Sequence, residues 1–235
     1  MSFLNAQWRK LIMINYAVDP QILMPYLPPK TELDFFEGKA YVSVVGFMFV
    51  DTKMLGMKIP FHINFEEVNL RFYVKHKAKD GWRRGVVFIK EIVPKLAIST
   101  IANLIYKEHY ETCKMRHQWD ITSDTLLINY GWKKKGLWNE IEVLAKNTPL
   151  DILPGSDLEF ITEHYWGYTK INKTQSFEYE VKHPIWKIYP VIEHKIEVDF
   201  GTVYGKDFDL LKGQEPASIM LAEGSEISVE KALRV

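Results

Sequence analysis

Residues 65–74 read Phe-Glu-Glu-Val-Asn-Leu-Arg-Phe-Tyr-Val (FEEVNLRFYV), and this stretch decides the fold. Successive side chains on a strand point to opposite faces. Val68, Leu70, Phe72 and Val74 therefore share one face, which belongs on a core. Glu67, Asn69, Arg71 and Tyr73 share the other. A solvated face is more usually a loose mixture of Lys, Glu and Thr, whereas this one sets an acid, an amide, a guanidinium and a phenol in one row. Arginine offers a two-pronged grip on a carboxylate, and a partly buried glutamate has its pKa raised into a useful range. The row is thus suited to binding or polarising a small anionic or carbonyl ligand. The competing reading is a solvated or structural row held by Glu–Arg pairing across strands.

Outward from this strand the period remains two. Residues 8–17 read as a strand, and Asp19-Pro20 then starts a short helix by capping and an N1 proline, ended by Pro25, Pro28 and Pro29. Strands at 33–36 and 39–50 are expected to form a hairpin across Glu37-Gly38. Residues 51–60 read as a loop. Further strands fall at about 62–75 and 84–92, separated by the charged loop KHKAKDG. Pro94 opens a helix carried to Lys107 by Leu96, Ala97, Ile101, Leu104 and Ile105.

Strands resume at about 111–119, 125–132 and 137–146. Ser156 and Glu159 make a capping box for a short helix from Asp157. A hairpin over 165–171 and 174–182 follows, with Phe177, Tyr179 and Val181 as the buried face against Glu178, Glu180 and Lys182. One strand covers 186–198, and the tail from Gly201 gives no clear pattern. About ten strands and one substantial helix, without alternating βα units, imply a mainly β fold. The expectation is one antiparallel, barrel-like sheet with a few packed helices. No linker or repeat divides the chain, so residues 1–235 are expected to form one domain.

The 235 residues suffice for a sizeable core. Thirty basic residues balance thirty acidic ones, which leaves no long-range field to gather nucleic acid or anionic lipid. The apolar run from Tyr41 to Val50 is about half of what a membrane helix needs. The N-terminus shows no secretory pattern, and the single Cys113 makes no internal disulfide. The expected location is the cytoplasm, with neither a nucleic acid nor a membrane as partner. Exposed sheet edges leave room for a homo-oligomer.

Seven Trp and twelve Tyr could line an apolar pocket, although aromatics at strand spacing are more often core. His62, His109, His117 and His183 are individual acid–base candidates without metal-ligand spacing. Metal motifs, phosphate loops and a nucleophile elbow are missing, so no metal, nucleotide or flavin cofactor is implied.

Several pieces in order resemble the YqjF-like bacterial family of unknown function, within the acetoacetate decarboxylase-like superfamily. They are the Trp8 strand with Asp19-Pro20 and Leu27-Pro28, Asp34 to Ser43 around Gly38, and Glu67-Val-Asn-Leu-Arg71-Phe-Tyr73-Val. Gly85-Val-Val-Phe88, the helix ending near Tyr106, Thr162-Glu-His-Tyr165 and His183-Pro-Ile-Trp186 complete them. The resemblance implies a conical β barrel with an internal site. It makes Glu67, in an aromatic-x-Glu pattern with Phe65, the inward acid. Decarboxylases of that superfamily use an imine-forming lysine in a Gly-aromatic-Pro-Lys-Lys stretch after the helix. Here the stretch is Lys107-Glu-His-Tyr-Glu111, with Tyr110 and Glu111 where the lysine pair would lie. Lys107 and Lys114 only flank it.

Two functions follow from these residues. One is an enzyme on a small carboxylate or carbonyl compound, decarboxylase- or lyase-like. Glu67 would be its acid–base and Arg71 its carboxylate grip, with Asn69, Tyr73 and Tyr110 as ligand contacts; Lys107 or Lys114 would serve only if an imine forms. The other is a non-catalytic module that holds a small ligand in the same barrel. A third and plainer reading is a structural or interaction protein whose polar row faces solvent.

Overall fold

A computed structural model describes residues 2–235. In chain order its first strands are β1 (Leu4–Val18), β2 (Thr31–Leu33), β3 (Ala40–Met54), β4 (Phe65–Ala78) and β5 (Gly81–Val93). Helix α1 (Pro20–Leu23) follows β1, with the Asp19 side chain accepting from the Gln21 amide. Helix α2 (Leu96–Ile105) leads to β6 (Tyr110–Thr112), β7 (Lys114–Ile121), β8 (Thr125–Lys134) and β9 (Leu137–Lys146). The remainder runs β10 (Leu150–Asp151), α3 (Asp157–Thr162), β11 (Trp166–Lys170), β12 (Ser176–Lys182), β13 (Lys187–Tyr189), β14 (Val191–Glu197), α4 (Phe200–Tyr204), β15 (Ser218–Val229) and β16 (Leu233–Arg234).

Seven strands close on themselves in the order β15-β1-β3-β4-β5-β11-β12, because β12 pairs with β15 at Val181–Val229 and Lys182–Ser228. The pairings of this ring are antiparallel except β5–β11, and β6 also joins β5 in parallel. A separate four-stranded sheet, β14-β9-β8-β7, covers one outer flank. Its Tyr130 and Ile141 press on β3 at Gly46, where a Cβ would lie 2.8 Å from the Ile141 Cδ1.

The two faces of β4 serve two cores. Val68, Leu70, Phe72 and Val74 pack outward with Ile128, Tyr130, Ile141, Phe200 and Phe208. The inner core contains Leu11, Met13, Val45, Phe47, Phe65, Tyr73, Phe160 and Trp186. Burial on both faces explains why most of β3 and β4 is apolar, since a wall between two cores has little solvated surface. No helix of the described residues is long and apolar enough to cross a membrane.

Several expected boundaries move. The turn at Glu37-Gly38 exists, with positive φ at both residues and a Phe36–Lys39 bridge, but β2 pairs with β4 and not with β3. The charged loop at 75–81 contracts to a tight turn, because pairing of β4 with β5 continues to Ala78–Gly81. The strand expected at 186–198 is two strands in different sheets, broken at Pro190, which lacks the amide a continuous ladder needs. Glu178 is buried, held by Arg83 and the Tyr168 hydroxyl, so the face expected to be solvated is covered at Ser176 and Glu178 and opens only toward Lys182. The tail contains β15, which pairs with β1 along nearly its whole length.

Candidate functional site

The barrel encloses a cavity of about 200 Å³ lined by side chains from all seven ring strands. Much of the lining is apolar, including Trp8, Phe47, Phe49, Phe65, Phe88 and Trp186. The polar groups gather on β4, β5 and the segment after α2. Glu67, Asn69 and Arg71 project inward from β4 and are all buried. Across the sheet Asn69 faces Glu91 of β5, which in turn faces Tyr110 of β6. Glu108, in the turn before β6, completes a group of three buried glutamates.

Hydrogen bonds fix most of this group. Glu67 accepts from the Asn69 amide at 2.9 Å and from the Tyr110 hydroxyl at 3.1 Å. Glu108 accepts from the Thr169 hydroxyl at 2.6 Å and the Tyr179 hydroxyl at 2.7 Å. The Tyr179 ring packs against Gly167 beside Glu108, and a Cβ there would sit 2.1 Å from its Cζ. Glu91 Oε2 and Asn69 Oδ1 have no protein partner.

Burial dominates the electrostatics. It pushes Glu67 up to about 7, against the hydrogen bonds from Asn69 and Tyr110 and the charge of Arg71. Burial likewise pushes Glu108 up to about 7, opposed by Thr169 and Tyr179 and reinforced by the charge of Glu67. Glu91 lies well above the usual carboxylate range because burial is compounded by Glu108 and Glu67. A carboxyl near 7 exchanges a proton readily at neutral pH, which suits general acid–base work.

Arg71 supplies the opposite charge. Its Nε has no partner, and its Nη2 meets only the Met13 sulfur at 3.8 Å. Beside it stands His164, whose Nε2 lies 3.2 Å from Asp34 Oδ2 while its Nδ1 has no partner. Asp34 is held below its usual range, at about 2: hydrogen bonds and charges of His164 and Arg84 outweigh its burial. Burial lowers His164 to about 4, so the ring is neutral at pH 7. With Asp34 accepting at Nε2, Nδ1 is left as a buried acceptor without a partner, on a residue that lines the cavity. His183 stacks on Trp186 at 4.3 Å and is also lowered to about 4 by burial.

The structure brings together Glu67, Asn69, Arg71 and Tyr110. Tyr73 is buried on the same face, but its hydroxyl is 2.6 Å from Ser43 Oγ and its ring packs on Phe160 and His164 behind the cavity lining. Lys107 and Lys114 are exposed and outside the lining. Glu111 turns outward to Lys90 and Lys134. Lys10, the one buried lysine among the described residues, bonds Glu223 and Tyr189 and does not reach the cavity. Among the histidines read individually, His183 and His62 line the cavity. His109 is exposed, and His117 pairs with Glu66.

Sequence reasoning missed Glu91, Glu108 and His164. His164 had a signal, since it lies inside the Thr162-Glu-His-Tyr165 piece. Glu91 was hidden by a β-bulge. Asn69 pairs with Glu91 and Leu70 with Lys90, but Arg71 pairs with Phe88, leaving Ile89 unopposed. Phe88 and Glu91 thereby face inward although they are three positions apart.

A model of the DUF2071 family, described as uncharacterized conserved protein, matches residues 5–226. The uncharacterized protein YqjF of Bacillus subtilis (strain 168) is 35% identical over 75 residues, 32% of this chain and 31% of that protein. The match thus spans under a third of the curated relative's length. Acetoacetate decarboxylase from Legionella pneumophila superposes with a TM-score of 0.65 at 14% identity, covering 99% of this chain and 86% of that one. The enduracididine biosynthesis enzyme MppR, solved with pyruvate, gives 0.69 at 11% identity over 100% and 91%. Such identities establish a common fold, mainly β and barrel-like.

Proposed function

Since the chain belongs to the DUF2071 family and has the acetoacetate decarboxylase-like fold, we propose that its cavity binds a small carboxylate or carbonyl compound and performs acid–base chemistry on it without an imine. One observation carries this reading: Glu67, a buried carboxyl pushed up to about 7, shares a small cavity with the unpaired Nε of Arg71. Arg71 grips the ligand carboxylate through charge-assisted hydrogen bonds. Glu67 takes or gives a proton at the carbon or oxygen next to it, steadied by Asn69 and Tyr110. His164 Nδ1 accepts a hydroxyl or amide proton of the ligand near Arg71. The apolar lining excludes water and strengthens each of these interactions.

The absence of a cavity lysine among the described residues supports leaving the imine route aside. A lysine there would supply the electron sink for decarboxylation, whereas Glu67 supplies proton transfer, as in enolisation, dehydration or isomerisation. We place this chemistry in the cytoplasm, where the single Cys113 needs no partner.

The test is exchange of α-protons in heavy water, followed by NMR over a panel of short keto and hydroxy acids. Wild type is expected to exchange at least one of them, and Glu67→Gln to bind it with exchange abolished. A β-keto acid with borohydride should leave the protein's mass unchanged. A lysine adduct would refute the imine-free route, and equal exchange by Glu67→Gln would remove the acid–base role.

A non-catalytic binding module is the second reading. It is favoured by the fixed hydrogen bonds on Glu67 and Glu108, which hold both acids as a binding wall would. Binding by wild type without exchange of any bound acid would select it.

A further inference from the structure

The two ends of the cavity demand different ligand groups. Arg71 presents donors, and a carboxylate satisfies them. One strand over, the demand is reversed. Glu91 is 2% exposed and Asn69 1%, and both line the cavity. Glu91 Oε2 and Asn69 Oδ1 have no hydrogen-bond partner in the protein. Their residues face each other in register on β5 and β4. The nearby hydroxyls cannot supply them all. Tyr110 lies within reach of both Glu67 and Glu91 but has a single proton to give, and Tyr179 and Thr169 give theirs to Glu108.

The charges point the same way. Glu67, Glu91 and Glu108 crowd one end, and Arg71 is the sole arginine or lysine of the lining. Burial and mutual repulsion keep protons on these carboxyls, even on Glu67 with Arg71 nearby, and a further cation bound among them would favour their ionised forms. A group with several N–H donors and a positive charge meets both the orphaned acceptors and the unbalanced acids. An apolar or purely anionic group meets neither, and leaving such acceptors unpaired is costly.

We propose that the end of the cavity formed by Glu91, Asn69 and Glu108 is a subsite for a protonated nitrogen group, so the favoured ligand is a short acid carrying an amine or amidine. The proposal rests on the assignment of the carboxylate to Arg71 made above, and it adds the second group. Arg71 follows Asn69 by two residues along β4, on the order of 7 Å. That spacing suits a carboxylate and a nitrogen separated by a few carbons.

Matched pairs test it by titration calorimetry on the purified full-length protein. β-Alanine is compared with butanoate, γ-aminobutyrate with pentanoate, and δ-aminovalerate with hexanoate. Within each pair a methyl replaces the ammonium. In at least one pair the amino acid is expected to bind tenfold tighter or better, and Glu91→Gln should reduce that preference to under threefold. The wild-type comparison stands by itself if the variant folds poorly. Equal or tighter binding of the methyl acid in every pair would overturn the nitrogen subsite while leaving the carboxylate at Arg71 intact. If neither series binds but propylamine or pentylamine does, the carboxylate assignment fails first and the proposal with it. If none of these probes binds, the short bifunctional ligand is refuted.

Discussion

Replacing Glu108 by Gln isolates the cost of burying a carboxyl in this cavity. The ordinary value of the group is 4.5, and burial takes it to about 7. Between these values the native protein keeps a proton that the unfolded chain has released. Stability contributed at low pH is therefore lost as pH rises from about 4.5, and the loss is complete above about 7. The gap corresponds to about 3 kcal/mol. Glutamine has no such cost, and its carbonyl oxygen can still accept from Thr169 and Tyr179. Glu108→Gln should match wild type near pH 4.5 and exceed it by up to about 3 kcal/mol at pH 8. For a chain of this length that is a rise of about 6–12 °C in Tm.

Thermal and urea melts of both proteins between pH 4.5 and 8.5 read this difference. A gain that grows with pH supports the burial argument. A constant offset across the range would refute it, because a solvated or cation-paired Glu108 would have no raised pKa to relieve. The charge of Glu67 contributes to the rise at Glu108, so the gain at pH 8 should shrink in a Glu67→Gln background. Strict additivity would show that the two carboxyls do not sense each other.

Arg71→Met should weaken binding of any short carboxylate by about 2–5 kcal/mol, measured by calorimetry, while leaving a neutral carbonyl ligand nearly unaffected. Asp34→Asn removes the negative charge shared by Arg84 and His164 while leaving one carbonyl oxygen to accept. Asp34 is depressed from 3.8 to about 2, a contribution of about 2 kcal/mol that is present above 3.8 and lost as pH falls through about 2. The variant should melt lower at pH 7 and converge on wild type in strong acid. Gly167→Ala forces the Tyr179 ring off its seat. It should cost about 1–3 kcal/mol of stability, and spectrophotometric titration should find the freed phenol ionising at lower pH. Ser156→Ala deletes the α3 cap, whose hydroxyl accepts from the Glu159 amide at 3.2 Å, and should cost about 1 kcal/mol in urea melts.

Periodicity made β4 legible because the strand is regular through its inward row. Glu67, Asn69, Arg71 and Tyr73 alternate without interruption, and the apolar residues between them fill the outer core. The 137–146 strand and the α2 helix were readable for the same reason, a local pattern undisturbed by distant partners. What failed was long-range pairing. β2 joins β4, and β15 closes on both β1 and β12, through registers that no local pattern contains.

The site was half legible for a related reason. A period-two reading of β5 puts Glu91 with Ile89 and Val87, which pack in the outer core. The bulge at Ile89 cancels that parity and turns Glu91 inward beside Asn69. Glu108 follows α2 in the turn before β6, where neither helical nor strand spacing applies, and its burial depends on hydroxyls from β11 and β12 some sixty or more residues away. The resemblance directed attention to the position of a missing lysine, at Tyr110 and Glu111. The structure gives that position another use. Tyr110 donates to the inward acid Glu67, and Glu111 leaves the cavity for Lys90 and Lys134. The lack of a lysine in the cavity lining bears on more than one step of chemistry. It leaves three buried glutamates facing a single arginine, and that imbalance is the reason a positively charged nitrogen is the group this cavity is suited to receive.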